Sequence, residues 1–244
     1  MTSELLRGIK ISLIPSVLSI GFTCSIAAQS PELQQKVGEI KEAAAQNKQA
    51  LAQYTWVEQD TISLKGEEKK VEHFQVRLGP DGKPQKTSMD SPQSPQPPAD
   101  KRGRGGRVKE HVVEKKQEEY KDYAEQIKAL VQQYVPPDKD ALEQARQKGD
   151  ISLGPQADAP GQYKLVISNY IKQGDNMTLV MDKTQKALVS LSIATYLSDP
   201  KDAVNVSVQF SPIPGGPNHV SGETINGVSK QLTIGVRNSD YQKL

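Results

Sequence analysis

The stretch GQYKLVISNYIKQGDNMTLVMDKTQKALVSLSIATYLSDPKDAVNVSVQFS, residues 161–211, decides the architecture. In its first run Tyr163, Leu165, Ile167 and Ile171 share one face, with Lys164, Ser168 and Lys172 on the other. Met177, Leu179 and Met181 follow the turn Gly174-Asp175-Asn176, and Val189, Leu191, Ile193 and Leu197 follow Lys183-Thr184-Gln185-Lys186. Val204, Val206, Val208 and Phe210 follow Asp199-Pro200-Lys201-Asp202. Successive side chains on a strand point to opposite faces, so these runs predict a β-meander with one apolar and one wet surface.

Downstream, the rigid loop Pro212-Ile213-Pro214-Gly215-Gly216-Pro217 leads to two further strands, near 219–225 and 229–237, with Leu232, Ile234 and Val236 facing inward. Upstream, a brief strand at 151–153 follows a short helix over 139–148, which Gly149 caps. A long helix is predicted over 108–135: Val113, Tyr120, Tyr123, Ile127, Leu130 and Tyr134 line one face, and Pro136-Pro137 stops it. Before it, Tyr54 to Val57 and Ile62 to Leu64 read as strand. Past the turn Lys65-Gly66-Glu67-Glu68, the partner strand carries Phe74, Val76 and Leu78 on one face, and the turn Gly79-Pro80-Asp81-Gly82 leads to a third strand over 85–89. Trp56, the single tryptophan, reads as a core or rim anchor. Ser30-Pro31-Glu32 starts an amphipathic helix running to about residue 53 on the spacing of Leu33, Val37, Ile40, Ala44 and Leu51, and its short stripe suits packing on the sheet.

The chain begins with a separate object. Arg7 and Lys10 precede an uncharged apolar run over 11–22, which ends in Ser25-Ile26-Ala27-Ala28, the three-part layout of a secretory signal peptide. The run is too short to span a bilayer comfortably. Residues 1–28 are therefore expected to be removed, leaving 29–244 as a single exported, periplasmic domain. Cys24 opens an alternative, lipid attachment, though bulky Phe22 suits such a site poorly. Cleavage after Ala27 or Ala28 leaves no cysteine, so the core must hold without disulfides.

Residues 90–107, DSPQSPQPPADKRGRGGR, offer almost nothing apolar to offset the entropy of ordering and are expected to form a flexible insertion. Lys101, Arg102, Arg104 and Arg107 concentrate positive charge there, which is either a contact for an anionic membrane surface or a solvated linker. A net charge of +2 argues against a nucleic-acid binder. The histidines, His73, His111 and His219, lie far apart, and His111 with Glu114 fits a solvated helix face better than a metal site. No serine elbow, phosphate-cradling glycine loop or dinucleotide fingerprint accompanies them. The expectation is a protein without catalysis, cofactor or metal.

Two strand-turn-strand stretches, Val76-Arg77-Leu78-Gly79-Pro80-Asp81-Gly82-Lys83 and Leu179-Val180-Met181-Asp182-Lys183-Thr184-Gln185-Lys186-Ala187-Leu188, together with the element order, resemble the bacterial lipoprotein carriers LolA and LolB. The resemblance implies an α+β fold: a curved antiparallel sheet, an open or half β-barrel, with helices packed on its concave face and a lipid or other apolar ligand carried there. The basic Pro/Gly-rich insertion and the scarcity of aromatics depart from that pattern. Independently, nine strands spaced about 4.8 Å apart make a sheet roughly 40 Å wide. Two helices of about 10 Å diameter cover about half of it. The remaining apolar face must curl around the helices, pair with another surface or hold a ligand. Leu165, Ile167, Met177, Leu179, Met181, Leu191 and Ile193 are the candidate lining residues.

Overall fold

The computed structural model describes residues 46–90, 104–135 and 139–244. Ten strands make one curved, unclosed antiparallel sheet. They are β1 (Tyr54–Leu64), β2 (Glu67–Leu78), β3 (Pro84–Ser88), β4 (Ile151–Pro155), β5 (Gln162–Ser168), β6 (Asn176–Asp182), β7 (Ala187–Tyr196), β8 (Ala203–Pro212), β9 (Asn218–Gly227) and β10 (Leu232–Lys243). The order across the sheet is β3-β2-β1-β10-β9-β8-β7-β6-β5-β4. All sequential strands except β3 and β4, which form the two edges, are meander neighbours, and one long-range pairing, β1 with β10, joins the N-terminal strands to the rest. Two helices of ten or more residues follow among the described residues, α1 (Arg104–Val131) and α2 (Lys139–Lys148).

The expected meander is present, with three local departures. β5 ends at Ser168, so Ile171 lies in the connection to β6 and not on the strand. A register shift between Val180 and Met181 sets Leu188, not Val189, opposite Met181, because an extra residue in one strand inverts the phase of everything beyond it. β1 runs unbroken from Tyr54 to Leu64, including the polar residues between Val57 and Ile62. In addition, α1 starts at Arg104, so Arg104 and Arg107 belong to a helix and not to the flexible insertion. The helix captures them because the Lys/Glu-rich sequence beyond has high helix propensity and propagation adds a hydrogen bond per residue. Lys101 and Arg102, most of the expected N-terminal helix, Cys24 and the expected signal segment lie outside the described residues; residues 46–51 are helical.

One sheet face is covered. Tyr123, Ala124, Ile127, Leu130, Val131 and Tyr134 from α1 and its end share a buried cluster with Leu142 and Ala145 of α2 and with strand residues from β1 and β5 to β10. Hydrogen bonds fix the helices on it. Tyr134 Oη donates to Asp175 Oδ2 at 2.5 Å and lies 2.6 Å from Thr195 Oγ1, while the Asp175 carboxylate accepts the backbone amides of Tyr170, Ile171 and Lys172. Tyr123 Oη donates to Asp202 Oδ1 at 2.8 Å and accepts from Ser229 Oγ at 3.0 Å. α2 ends in a Schellman turn: Asp150 N donates to Ala145 O, Gly149 N donates to Arg146 O, and Gly149 takes φ +77°. A second, smaller cluster of Leu51, Trp56, Val76, Leu78 and Ile213 lies towards the β1–β2 side, with Asn47 clamped to the backbone of Asn218 by two hydrogen bonds.

α1 sits close against β9 at Gly227, where an added Cβ would lie 2.6 Å from Tyr123 Cε1 and 2.7 Å from Ile127 Cδ1. Gly227→Ala should therefore push α1 off the sheet and cost about 1–3 kcal/mol by overpacking. Gly154→Ala on β4 meets nothing within 4 Å. It should stay within about 0.5 kcal/mol of the parent. Urea midpoints of the two variants check this.

Candidate functional site

Cross-strand partners on an antiparallel sheet share a face, so the register orders the covered side into rows. One row reads Ile151, Ile167, Met177, Ile193, Val206, Ile225, Ile234, Ile62 and ends at Lys70 on β2. The row beside it begins Leu153, Leu165, Leu179, Leu191, Val208 and then changes character: Glu223, Val236, Asp60, Glu72. One step further along β1 and β10, Glu58 pairs with Asn238. The buried acids thus form a polar seam where the sheet passes from the large cluster to the small one.

The candidate lining residues fall on the aliphatic part of these rows. Ile167, Met177, Leu179, Met181, Leu191 and Ile193 are buried, and Leu165 is partly so. All but Met181 pack in or against the cluster that contains the helix residues. A ligand placed directly on them would need α1 or α2 to move aside.

The seam is nearly as dry. Asp60 is 1% exposed, Glu58 2% and Glu223 6%. Lys86 on β3 is the cation that meets them among the described residues: it ion-pairs with Glu58 and approaches Asp60 Oδ2 at 3.4 Å, with its ammonium 5.4 Å from the Phe74 ring centroid. Asp60 Oδ1, Glu223 Oε1 and Asn238 Oδ1 are buried with no hydrogen-bond partner. Asn238 Nδ2 is committed to Val220 O at 2.9 Å, which fixes the orientation of its amide. Trp56 Nε1 and His219 Nδ1 are likewise buried without partners. Tyr241 stacks on Trp56 with ring centroids 5.5 Å apart and meets the His219 ring at 4.1 Å. Val236, the floor between Asp60 and Glu223, is partly exposed, while Ile234 and Asn238 on either side of it along β10 are buried.

Burial governs the titration of these groups. Loss of solvation, then the negative charge of Glu58, pushes the Asp60 carboxyl up to about 8, with Lys86 opposing. The same two causes in the same order raise Glu223 to about 8. Burial lowers His219, and burial followed by the Glu58 charge raises Tyr241. Chemically the seam is a store of protons and unsatisfied oxygens in an apolar wall. Among the described residues no group of three or more His, Cys, Asp or Glu is arranged to hold a metal ion. No helix among them is long and apolar enough to cross a membrane.

Reading the sequence for apolar alternation passes over Glu58, Asp60 and Glu223, because charged residues are assigned to solvent by default. A signal was present nonetheless. Trp56, Glu58, Asp60, Ile62 and Leu64 lie at period two, so once Trp56 and Ile62 are placed inward the two acids between them must also point inward. Glu223 is harder to find, since a register shift in the β8–β9 pairing lies next to it.

No family model matches the chain, and no curated protein matches it. Among solved structures it is similar to a LolA superfamily protein from Nitrosomonas europaea, with a TM-score of 0.37 and 9% identity over 86% of this chain and 93% of that one. It is also similar to a DUF1329 family protein from Desulfovibrio piger, with a TM-score of 0.39 and 7% identity over 88% of this chain and 94% of that one.

Asp60 and Glu223 hold their protons to higher pH in the folded chain than their ordinary values of 3.8 and 4.5 allow in the unfolded one. The stability linked to them is thus fullest below about pH 4 and declines as pH rises towards 8, by up to about 1.4 kcal/mol per pH unit for each group. Thermal melts should show Tm falling between pH 5 and 8. Glu223→Gln, which keeps the shape and removes the ionisation, should flatten that fall and make the variant more stable than the parent at pH 8.

Proposed function

We propose that this chain is an exported, non-enzymatic binding protein that receives a lipid or other amphiphile on its curved sheet, with α1 and α2 on the concave side. The observation that carries this reading is the division of the covered face. Buried apolar side chains form two clusters that do not merge, and the boundary between them holds buried polar atoms without partners. A buried oxygen or N–H without a hydrogen bond costs about 1–3 kcal/mol. A ligand that satisfies several such groups in one place would account for their retention. Export rests on the basic, apolar and small-residue segments of residues 1–28.

The ligand space in this reading lies at the seam, beside the close-packed β5–β7 face. Leu179, 2% exposed in the cluster with α1, is then a packing residue. Leu179→Ala should cost about 2–5 kcal/mol. Leu179→Trp should cost roughly 1–3 kcal/mol through overpacking. Neither should abolish uptake of the neutral apolar dye N-phenyl-1-naphthylamine. Native mass spectrometry with lipid extraction, after gentle purification from the exported fraction, should detect a bound amphiphile. A ligand-free chain that also fails to take up the dye contradicts the reading.

A further inference from the structure

Resting on the binding-protein reading, we propose that the part of the seam at Val236, between Asp60 and Glu223, is a binding site for a primary ammonium group. Asp60 and Glu223 both pair with Val236, from opposite sides of β10, so their backbones stand about 10 Å apart, two strand spacings. Val236 between them is partly exposed, while Ile234 and Asn238 on either side of it along β10 are buried. Three buried oxygens without hydrogen-bond partners belong to residues of this part of the seam: Asp60 Oδ1, Glu223 Oε1 and Asn238 Oδ1. An alkylammonium carries three N–H donors and no acceptor, which is the complement of this set. Asn238 is the telling member. Its amide nitrogen is already bound to Val220 O, so its oxygen can only accept.

Charge favours the same ligand. Three buried carboxyls share the seam, and among the described residues the ammonium of Lys86 stands against them at Glu58 and at the far oxygen of Asp60. Glu223 and the second oxygen of Asp60 have no hydrogen-bonded cation, and Lys86 acts on Glu223 only as a charge at longer range, too weakly to offset its burial. Buried charge is tolerated only when paired, so protons or a second cation must occupy this half of the seam. The surroundings suit an organic cation. Trp56, Phe74 and Tyr241 lie on one side, and Ile62, Ile225 and Ile234 on the other. An anionic head such as a fatty-acid carboxylate would add negative charge beside Glu58, whose charge already raises Asp60 and Glu223. Trp56 Nε1, buried and without a partner on the same face of β1 as Glu58 and Asp60, adds a donor for an oxygen next to the amine. Because Asp60 and Glu223 retain protons up to about pH 8, entry of an ammonium at pH 7 should release protons to the buffer.

The test uses the full chain with dodecylamine, dodecanol, dodecanoic acid and butylamine, each below its micelle concentration at pH 7. Trp56, the single tryptophan, reports occupancy by fluorescence, and calorimetry in two buffers of different ionisation enthalpy counts protons released. Dodecylamine should bind at least tenfold more tightly than dodecanol or dodecanoic acid, with net proton release. Glu223→Gln and Asp60→Asn should each weaken dodecylamine binding at least tenfold and abolish its preference over dodecanol, and a near-UV circular dichroism spectrum matching the parent's shows that each variant is folded. Butylamine binding as tightly as dodecylamine assigns the site to free amines, and weaker binding assigns it to amine-headed amphiphiles; either supports the ammonium site. Equal affinity for amine and alcohol, or an amine preference that survives both substitutions, overturns the ammonium site and leaves the amphiphile reading standing. Failure of every long-chain ligand to bind overturns both.

Discussion

Burying three carboxyls beside one ammonium in a sheet of aliphatic rows is the constraint on which the rest of this structure turns. Leu153, Leu165, Leu179, Leu191 and Val208 carry one row across five strands, and the row then meets Glu223 and Asp60 where two more aliphatics would complete it. Desolvation works against the ionised form of such groups, and Lys86 answers only part of it. The two apolar clusters consequently stay separate, and the sheet has a polar boundary at the point where β1 joins β10. That pairing is the long-range contact that joins β1–β3 to the remaining seven strands. The acids therefore lie on the least local and topologically slowest part of the fold.

The helices contrast with the seam because their polar groups are satisfied. Asp175 is as buried as Glu58, yet it accepts three backbone amides and the Tyr134 hydroxyl, which makes it a bracket between the end of α1 and the β5–β6 connection. Tyr123 does similar work between two strand-strand turns. One end of the molecule is thus closed by complete hydrogen bonding. The other presents Asp60, Glu223, Asn238, Trp56 and His219 with atoms still unpaired. The difference separates a fully satisfied polar network from an unsatisfied one.

Most of the architecture was legible in the alternation of the sequence. Val204, Val206 and Val208, or Leu232, Ile234 and Val236, announce a half-buried strand without reference to anything else, and the meander order follows from short turns such as Asp199 to Asp202. Features that depend on phase were not legible. The shift at Val180 and Met181 moves Leu188 inward in place of Val189, and no local preference marks where such a shift falls. Asp175 read as a turn acid because its burial depends on α1 arriving from forty residues upstream. The candidate site was the least legible part. Glu58, Asp60 and Glu223 come from strands distant in sequence, and only the β1–β10 and β10–β9 registers bring them into one place.

The central claim is that Asp60 and Glu223 are carboxyls held protonated by burial in an apolar sheet face. Carbon-13 NMR titration of the side-chain carboxyls, assigned with Asp60→Asn and Glu223→Gln, measures this directly. The account predicts that both groups titrate near pH 8 in the ligand-free chain. Midpoints near pH 4 for both would show that water reaches the seam freely, and would contradict it.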